Sequence, residues 1–272
     1  ESWSWDRLEQ QAPLTAAETA LFNRYNLSPG QVAWRRQKMA ARKEKFYQEY
    51  PEDIVSCFLA TGSPYFTPSV MQEMLAHCRP PLLDMPALLW KRPYLGGVYL
   101  IGVDVGGGGA ARDPSGAEHG DRSALAVLDT TRGRSEFVAE LALVTPPDIF
   151  AAQLANVGRY YHNAILVVER NGFGQWVINK LVELGYPNVA AFRRSDSGPF
   201  EYGWITTAAN RSPMLAEFHE ATDQQLYTTY SNQLLNEMMN FVDVMEPATG
   251  RHRYEAARGG YDDLLFAHMI AW

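Results

Sequence analysis

The stretch YLIGVDVGGGGA, residues Tyr99–Ala110, joins an apolar segment to one aspartate and then to a run of glycines. The apolar half predicts a strand that ends at Asp104. Glycines after a strand are typical of loops that bind phosphate, whereas an aspartate at a strand end is typical of a metal ligand. The two interpretations predict different chemistry, and the rest of the chain distinguishes them.

The glycine run does not match the common nucleotide-binding patterns. Gly106–Gly109 are followed by two alanines and Arg112, so the Gly-Lys-Ser/Thr ending of a P-loop is missing. A dinucleotide-binding loop opens a helix, but Pro114 and Gly120 precede a further strand here. We interpret Gly106–Gly120 as a flexible hairpin loop that lets Asp121 return beside Asp104 and lets a bulky substrate approach the backbone.

The segments around this stretch predict the fold class. VYLIGVD, SALAVLD and SEFVAELALV read as three strands with short connections, which indicates an antiparallel meander. A helix, the buried strand AILVVE, a second helix, the short strand NVAAF and further helices follow. This β-β-β-α-β-α-β-α order predicts an α/β protein with a mixed five-stranded sheet, in which parallel crossovers extend the meander and helices flank the sheet. That is the layout of an RNase H-like fold.

The N-terminal part of the chain is predicted to be helical. Thr15 and Glu18 have the spacing of a capping box, and Ser28 precedes Pro29 at the start of a second, basic helix. A proline-rich stretch then ends near Pro93. We therefore divide the chain into a helical segment, 1–95, and an α/β domain, 96–272.

Composition narrows the class of protein. With 272 residues, 46% of them hydrophobic, the chain can bury a substantial core. A net charge of −7 argues against a general binder of polyanions. No apolar stretch approaches the roughly 20 residues that span a bilayer, so no membrane association is expected. The first residues do not form a signal peptide and there is no initiating Met, so we expect a fragment or a processed product.

Acidic residues recur where apolar elements meet loops. Asp104 and Glu169 end two strands, Asp121 precedes another, and Asp262 and Asp263 open the last helix. Each one alone could be a turn or capping residue. In a sheet of the predicted order, however, the strands that end at Asp104 and Glu169 are parallel neighbours, so their carboxylates meet at one edge. Adjacent carboxylates repel unless a proton or cation lies between them, and hard ions such as Mg²⁺ and Mn²⁺ prefer such oxygen ligands.

These motifs resemble the nuclease domain of the large subunit of tailed-bacteriophage terminases, the DNA-packaging motors. LIGVDVGGGG with GDRSALAVLD resembles that family's first hairpin, AILVVERNGFG its second motif, and GGYDDLLFAHMIAW its last. YGWITTAANRSPMLAEFHEA resembles a segment between the last two. The upstream LSPGQVAWRRQKMAARKEKFYQEYPEDIVSCFLATGSPYF resembles the linker between motor and nuclease, which covers part of the helical segment 1–95.

The resemblance implies a metal-dependent endonuclease that cleaves double-stranded DNA during viral genome packaging with little sequence specificity. Asp104 would be the principal ligand of two Mg²⁺ or Mn²⁺ ions about 3.5–4 Å apart, and Asp121 an accessory ligand. Glu169 and Asp262 or Asp263 would complete the site. Basic residues near this edge are candidates for phosphate contacts: Arg170, Arg193, Arg194 and Arg211.

The expected partners are double-stranded DNA and, by resemblance, the terminase small subunit, the portal protein and an ATPase motor domain of the same polypeptide. No Walker motif is present, so that motor is expected to precede Glu1 or to have been removed. The expected location is the cytoplasm of the host cell. Two alternatives remain: a noncatalytic module that clamps DNA or docks on the portal, and an actin-like ATPase, whose first strand also ends in aspartate and glycine.

Overall fold

A computed structural model of the chain describes residues 13–15, 18–19, 22, 27–42, 63–84, 87–112, 118–131, 133, 135–193, 197–246, 250, 252–257 and 259–272. The chain divides into two compact units, 1–61 and 62–272. None of the described helices is long and apolar enough to cross a membrane.

The first unit contains the two helix starts that the sequence predicts. The Thr15 hydroxyl accepts from the Glu18 amide, and the Glu18 carboxylate accepts from the Thr15 amide at 2.8 Å. Helix α1 (Pro29–Arg42) begins after Ser28, whose side chain and that of Gln31 cap each other's backbone amides. Both predicted N-caps are therefore confirmed. The rest of the predicted basic helix, from residue 43 onward, lies outside the described residues.

The second unit alternates strands and helices in the predicted way. Its elements, in chain order, are β1 (Ser63–Pro64), α2 (Pro68–Leu75), β2 (Leu83–Asp84), β3 (Leu88–Leu89), β4 (Tyr99–Asp104), β5 (Ala110–Arg112), β6 (Glu118–Gly120), β7 (Ser123–Asp129), β8 (Ser135–Leu143), α3 (Pro147–Tyr160), β9 (Ile165–Val168), α4 (Gly174–Glu183), β10 (Ala191–Arg193), β11 (Phe200–Tyr202), α5 (Ala208–Asp223), β12 (Tyr227–Thr228), α6 (Asn232–Met239), β13 (Phe241–Met245), β14 (His252–Ala256) and α7 (Asp263–Ala271).

The central sheet is mixed, as predicted. Strands β4, β7 and β8 form the antiparallel meander, and β9 lies parallel to β4 at one side. The sheet has seven strands in the order β2-β3-β8-β7-β4-β9, with β12 also paired to β8, rather than the five predicted. The additional strands have two residues each, too few to show a periodicity. The predicted fifth strand contributes a bridge from Val189 to Leu166 and then turns into the separate β10–β11 hairpin.

The boundary between the two units falls earlier than the predicted division at residues 95 and 96. Strand β1 pairs with β13, and β3 pairs with β8. Phe66 and Met71 are each only 2% exposed. The residues from 63 to 95 therefore belong to the sheet-containing unit, because strand pairing and apolar burial tie them to it. The assignment of 1–95 as a segment between motor and nuclease stays a prediction.

The two faces of the sheet have different coverings. Ile101 and Val103 of β4 and Leu166 and Val168 of β9 point into a core packed against α3 and α4. Because side chains alternate along a strand, the even-numbered residues of β4 and the odd-numbered residues of β9 face the opposite side. Helix α7 covers that side, and its residues from 264 to 271 are all buried. Any side chain that follows this alternation at the ends of β4 and β9 is therefore directed toward α7.

Candidate functional site

Asp104 and Glu169 meet at the ends of two parallel strands. Val103 is paired in register with Val168, and the Glu169 amide donates to the Val103 carbonyl at 2.9 Å. The next residues on each strand, Asp104 and Glu169, are therefore direct neighbours on the face that α7 covers. The Glu169 carboxyl is close enough to raise the pKa of Asp104. The structure thus brings these two predicted site residues together.

Close packing of α7 on β4 brings in two more carboxylates. A Cβ at Gly102 would lie 2.1 Å from the Ala267 carbonyl oxygen and 2.4 Å from the Ala271 nitrogen, so the helix backbone lies directly on the strand. Asp263 is the first residue of α7 and Asp262 is its N-cap. The missing side chain at Gly102 therefore lets the start of α7 approach the end of β4.

The electrostatics of Asp104 involve three other carboxyl groups. Burial raises the pKa of Asp104 well above its usual range, and the charges of Glu169, Asp263 and Asp262 raise it further, in that order. Burial also raises the pKa values of Asp262 and Asp263, and the charge of Asp263 raises the pKa of Asp262 further. A group of buried carboxyls that repel one another favours the uptake of protons or of a cation.

Asp121 lies on the glycine loop at the margin of this group. Its side chain is exposed and accepts a hydrogen bond of 2.6 Å from the Gly107 amide. Its charge contributes to raising the pKa of Asp263, after larger effects that include burial. The structure therefore places Asp121 near Asp263 and gives it a definite role in holding the loop. Its predicted role as an accessory metal ligand stays a prediction.

The described part of the glycine loop, residues 106–112 and 118–120, makes specific backbone contacts that the predicted flexible hairpin would not need. Strands β5 and β6 pair within it. A Cβ at Gly106 would lie 2.3 Å from the Arg122 carbonyl oxygen, and one at Gly108 would lie 2.3 Å from the Thr145 carbonyl oxygen. Gly108 also has a φ of +65°, which favours glycine. These glycines are thus needed for close backbone contacts rather than for slack in the loop.

Solved structures with a similar fold include nuclease domains of phage terminases. The chain is similar to the large terminase nuclease of thermophilic phage G20c with bound cobalt, at 16% identity and a TM-score of 0.59 over 77% of this chain and 96% of that one. The same nuclease with bound magnesium gives a TM-score of 0.58, with 77% and 96% covered at 16% identity. The Thermus phage P74-26 large terminase nuclease domain gives 0.58, with 77% and 94% covered, also at 16% identity.

The chain has the fold of a large terminase nuclease domain. At 16% identity the likeness establishes the fold, and it confirms the resemblance and the fold class that the sequence motifs predict. No family model matches the sequence, and no curated protein matches it. The roles of individual residues within the terminase nuclease fold therefore depend on the geometry of the site itself.

The carboxylates of this terminase nuclease fold are suitable ligands for a hard cation, but their oxygens are not directed at one common position. Among the described residues, no group of three or more His, Cys, Asp or Glu side chains is arranged to hold a metal ion. The pKa of Asp104 is nevertheless raised by the charges of three neighbouring carboxyls, so the four side chains belong to one electrostatic group. The all-oxygen donor chemistry fits Mg²⁺ or Mn²⁺.

The predicted phosphate-binding arginines have different contacts around the carboxylates. Arg170 forms an ion pair with Glu201, and Arg193 lies over the Phe200 ring at 4.3 Å. Both line a cleft of about 550 Å³ together with Trp204, whose backbone pairs with that of Glu169. Arg211 donates to the Tyr254 carbonyl at 3.0 Å, and its charge lowers the pKa of Asp262 against the effect of burial.

Of these four predicted contacts, the structure therefore places Arg170 and Arg193 in one cleft next to Glu169 and Arg211 near Asp262. Arg194 lies outside the described residues. Binding of DNA by any of the four arginines stays a prediction.

Sequence reasoning missed two charged residues of the site, Arg122 and Glu237. Arg122 donates to Asp263 at 2.8 Å and also pairs with Glu237. Glu237 is 6% exposed, and burial raises its pKa to about 7 although Arg122 opposes the shift. Arg122 stands 141 residues from Asp263 and 115 from Glu237, so no local pattern connects them. The available signal was a glutamate on the apolar side of the helix that contains Leu234 and Met238.

Proposed function

We propose that this protein is a metal-dependent endonuclease that cuts double-stranded DNA during the packaging of a phage genome. One observation carries the proposal: Asp104 and Glu169 lie side by side beneath the start of α7, in a chain with the terminase nuclease fold. The neighbouring nuclease structures with bound cobalt and magnesium support the metal dependence. The terminase setting supports the packaging role.

The proposed ligands are the carboxylates that the fold gathers at this edge. Asp104 would hold two Mg²⁺ or Mn²⁺ ions together with Glu169 and Asp262 or Asp263, and Asp121 would assist from the loop. When bound, such ions activate water and stabilise the leaving oxygen of a phosphodiester. The carboxylates orient the ions, while Arg170, Arg193, Arg194 and Arg211 are proposed to hold phosphates of the DNA backbone without reading sequence.

The same proposal gives the protein its partners and location. We infer that it acts in the cytoplasm of the host cell with the terminase small subunit, the portal protein and an ATPase motor domain. The neighbouring large terminase structures support this inference at the level of the packaging machinery.

The proposal is tested by nicking of plasmid DNA. Wild-type protein should cut with Mn²⁺ or Mg²⁺ and stop on addition of a chelator, and Asp104→Ala and Glu169→Ala should each abolish cutting. Asp129→Asn is the matched control, because Asp129 lies on β7 opposite Tyr99, at the other end of the strand pair from Asp104. Normal cutting by Asp104→Ala would overturn the assignment. DNA binding without cutting by the wild type would favour the noncatalytic clamp.

A further inference from the structure

The buried contacts of Arg122 suggest a role beyond a structural ion pair. Its side chain is 17% exposed and lies between Asp263, which opens α7, and Glu237 on α6. Its guanidinium stacks on the Tyr261 ring at 3.7 Å. A planar guanidinium that is held on three sides has little freedom to change its orientation.

Arg122 contacts one particular oxygen of Asp263. Both Nε and the second terminal nitrogen of Arg122 reach Oδ2 at 2.8 Å. The contacts therefore fix the rotation of the carboxylate and leave Oδ1 outside the arginine fork. Asp263 is the first residue of α7, whose backbone lies directly on β4 at Gly102, so its carboxylate stands on the helix start that approaches Asp104.

Glu237 fixes the other end of the arrangement. One of its oxygens pairs with Arg122, and the other accepts from the Leu265 amide at 3.0 Å. The Leu265 amide is one of the first four of α7, which have no partner within the helix. Glu237 therefore holds both the guanidinium and the helix start on which Asp263 stands.

We propose that Arg122 and Glu237 are positioning residues that fix the Asp263 carboxylate, with Oδ1 presented to a divalent cation shared with Asp104 and Glu169. This inference rests on the proposed function, because it specifies how one ligand of that site is oriented. It also makes Asp263, rather than Asp262, the principal ligand from α7. Groups that orient metal ligands typically contribute about 10–100-fold to metal affinity.

The test measures Mn²⁺ affinity by calorimetry together with the free energy of unfolding. Arg122→Met should weaken Mn²⁺ binding about 10–100-fold. Arg122→Lys keeps the charge but cannot contact Asp263 and Glu237 as a fork, so it should restore only part of the affinity. Lys91→Met, which breaks the Lys91–Glu136 pair elsewhere on the sheet, is the control and should bind Mn²⁺ like the wild type.

A double variant separates positioning from stability. Arg122→Met leaves the Glu237 carboxylate without its ion-pair partner, and a buried unpaired charge is strongly destabilising. Arg122→Met/Glu237→Gln removes that charge but keeps an oxygen for the Leu265 amide, so it should regain much of the stability lost in Arg122→Met yet still bind Mn²⁺ weakly. A double variant that recovers both stability and Mn²⁺ affinity would overturn the inference. If the double variant does not fold, Arg122→Lys decides the question, because wild-type Mn²⁺ affinity in that variant would also overturn the inference. Absence of Mn²⁺ binding by the wild type would instead contradict the proposed function.

Discussion

At the scale of single residues, the site contains charged groups whose burial costs desolvation free energy. Asp104, Glu169, Asp262 and Asp263 form one group of carboxyls, and Arg122 and Glu237 form a compensating pair beside it. The four acidic residues could be predicted because each interrupts an apolar pattern at the end of an element. Arg122 and Glu237 could not, because their meaning comes from contacts over more than a hundred residues of chain.

The buried carboxyl of Glu140 makes the stability of the fold depend on pH. Glu140 is 1% exposed, and burial raises its pKa to about 8. The Ser231 hydroxyl donates to its Oε1, while Oε2 lies 3.7 Å from Nε2 of buried His268. Burial lowers the pKa of His268 to about 4. Both groups are therefore neutral near pH 6.5, where a protonated Oε2 faces an imidazole nitrogen.

The signs of the two shifts follow from linkage. The raised pKa of Glu140 gives stability that is lost as pH rises from about 4.5 through about 8. The lowered pKa of His268 gives stability that is lost as pH falls from about 6.5 through about 4. The free energy of unfolding, measured by urea denaturation, should therefore fall between pH 6.5 and pH 9. Glu140→Gln should remove part of that fall, because the raised pKa values of Asp104 and Glu237 contribute to it as well, and an unchanged profile would contradict the assignment.

At the scale of elements, contact between α7 and β4 sets the position of the α7 carboxylates relative to Asp104. Gly102→Ala would place a methyl group into the α7 backbone, so the helix must move away from the strand. We expect a loss of about 1–3 kcal/mol in the free energy of unfolding, typical of an overpacked core, and a larger relative loss of DNA cutting. Chemical denaturation and plasmid nicking measure the two effects.

Gly109→Ala is the matched control for this substitution. A Cβ at Gly109 would meet no atom within 4 Å. We expect near wild-type stability and cutting from it. Equal losses in Gly102→Ala and Gly109→Ala would show that α7 does not need the direct contact with β4.

The elements of the sheet were predicted best where their patterns were long. The meander, β9 and the last helix follow from apolar runs. The amphipathic segment SNQLLNEMMNFV predicts a single helix with Ser231 before it, but α6 ends at Met239 and Phe241 begins β13. That strand is formed by pairing with β1 and β14. Pairing partners over such distances do not appear in a local periodicity.

At the scale of the whole molecule, the second unit contains every described residue of the candidate site. A fragment of residues 62–272 should therefore unfold cooperatively and retain metal-dependent cutting. A fragment of residues 96–272, which starts at the boundary predicted from sequence, should be much less stable. It lacks the buried side chains of Phe66, Met71 and Trp90, each worth about 1.5–3 kcal/mol on full burial. Thermal unfolding of both fragments checks this, and equal stability would contradict the unit boundary.

The central claim is that the carboxylates of β4, β9 and α7 together bind the metal ions that cut DNA. The most direct test is a crystal structure of the protein with Mn²⁺, in which anomalous scattering locates the ions. We predict a peak in contact with Asp104 and Glu169 and with Oδ1 of Asp263, and its loss in crystals of Asp104→Asn. A protein that cuts DNA with Mn²⁺ but shows no anomalous peak at these carboxylates would contradict the account.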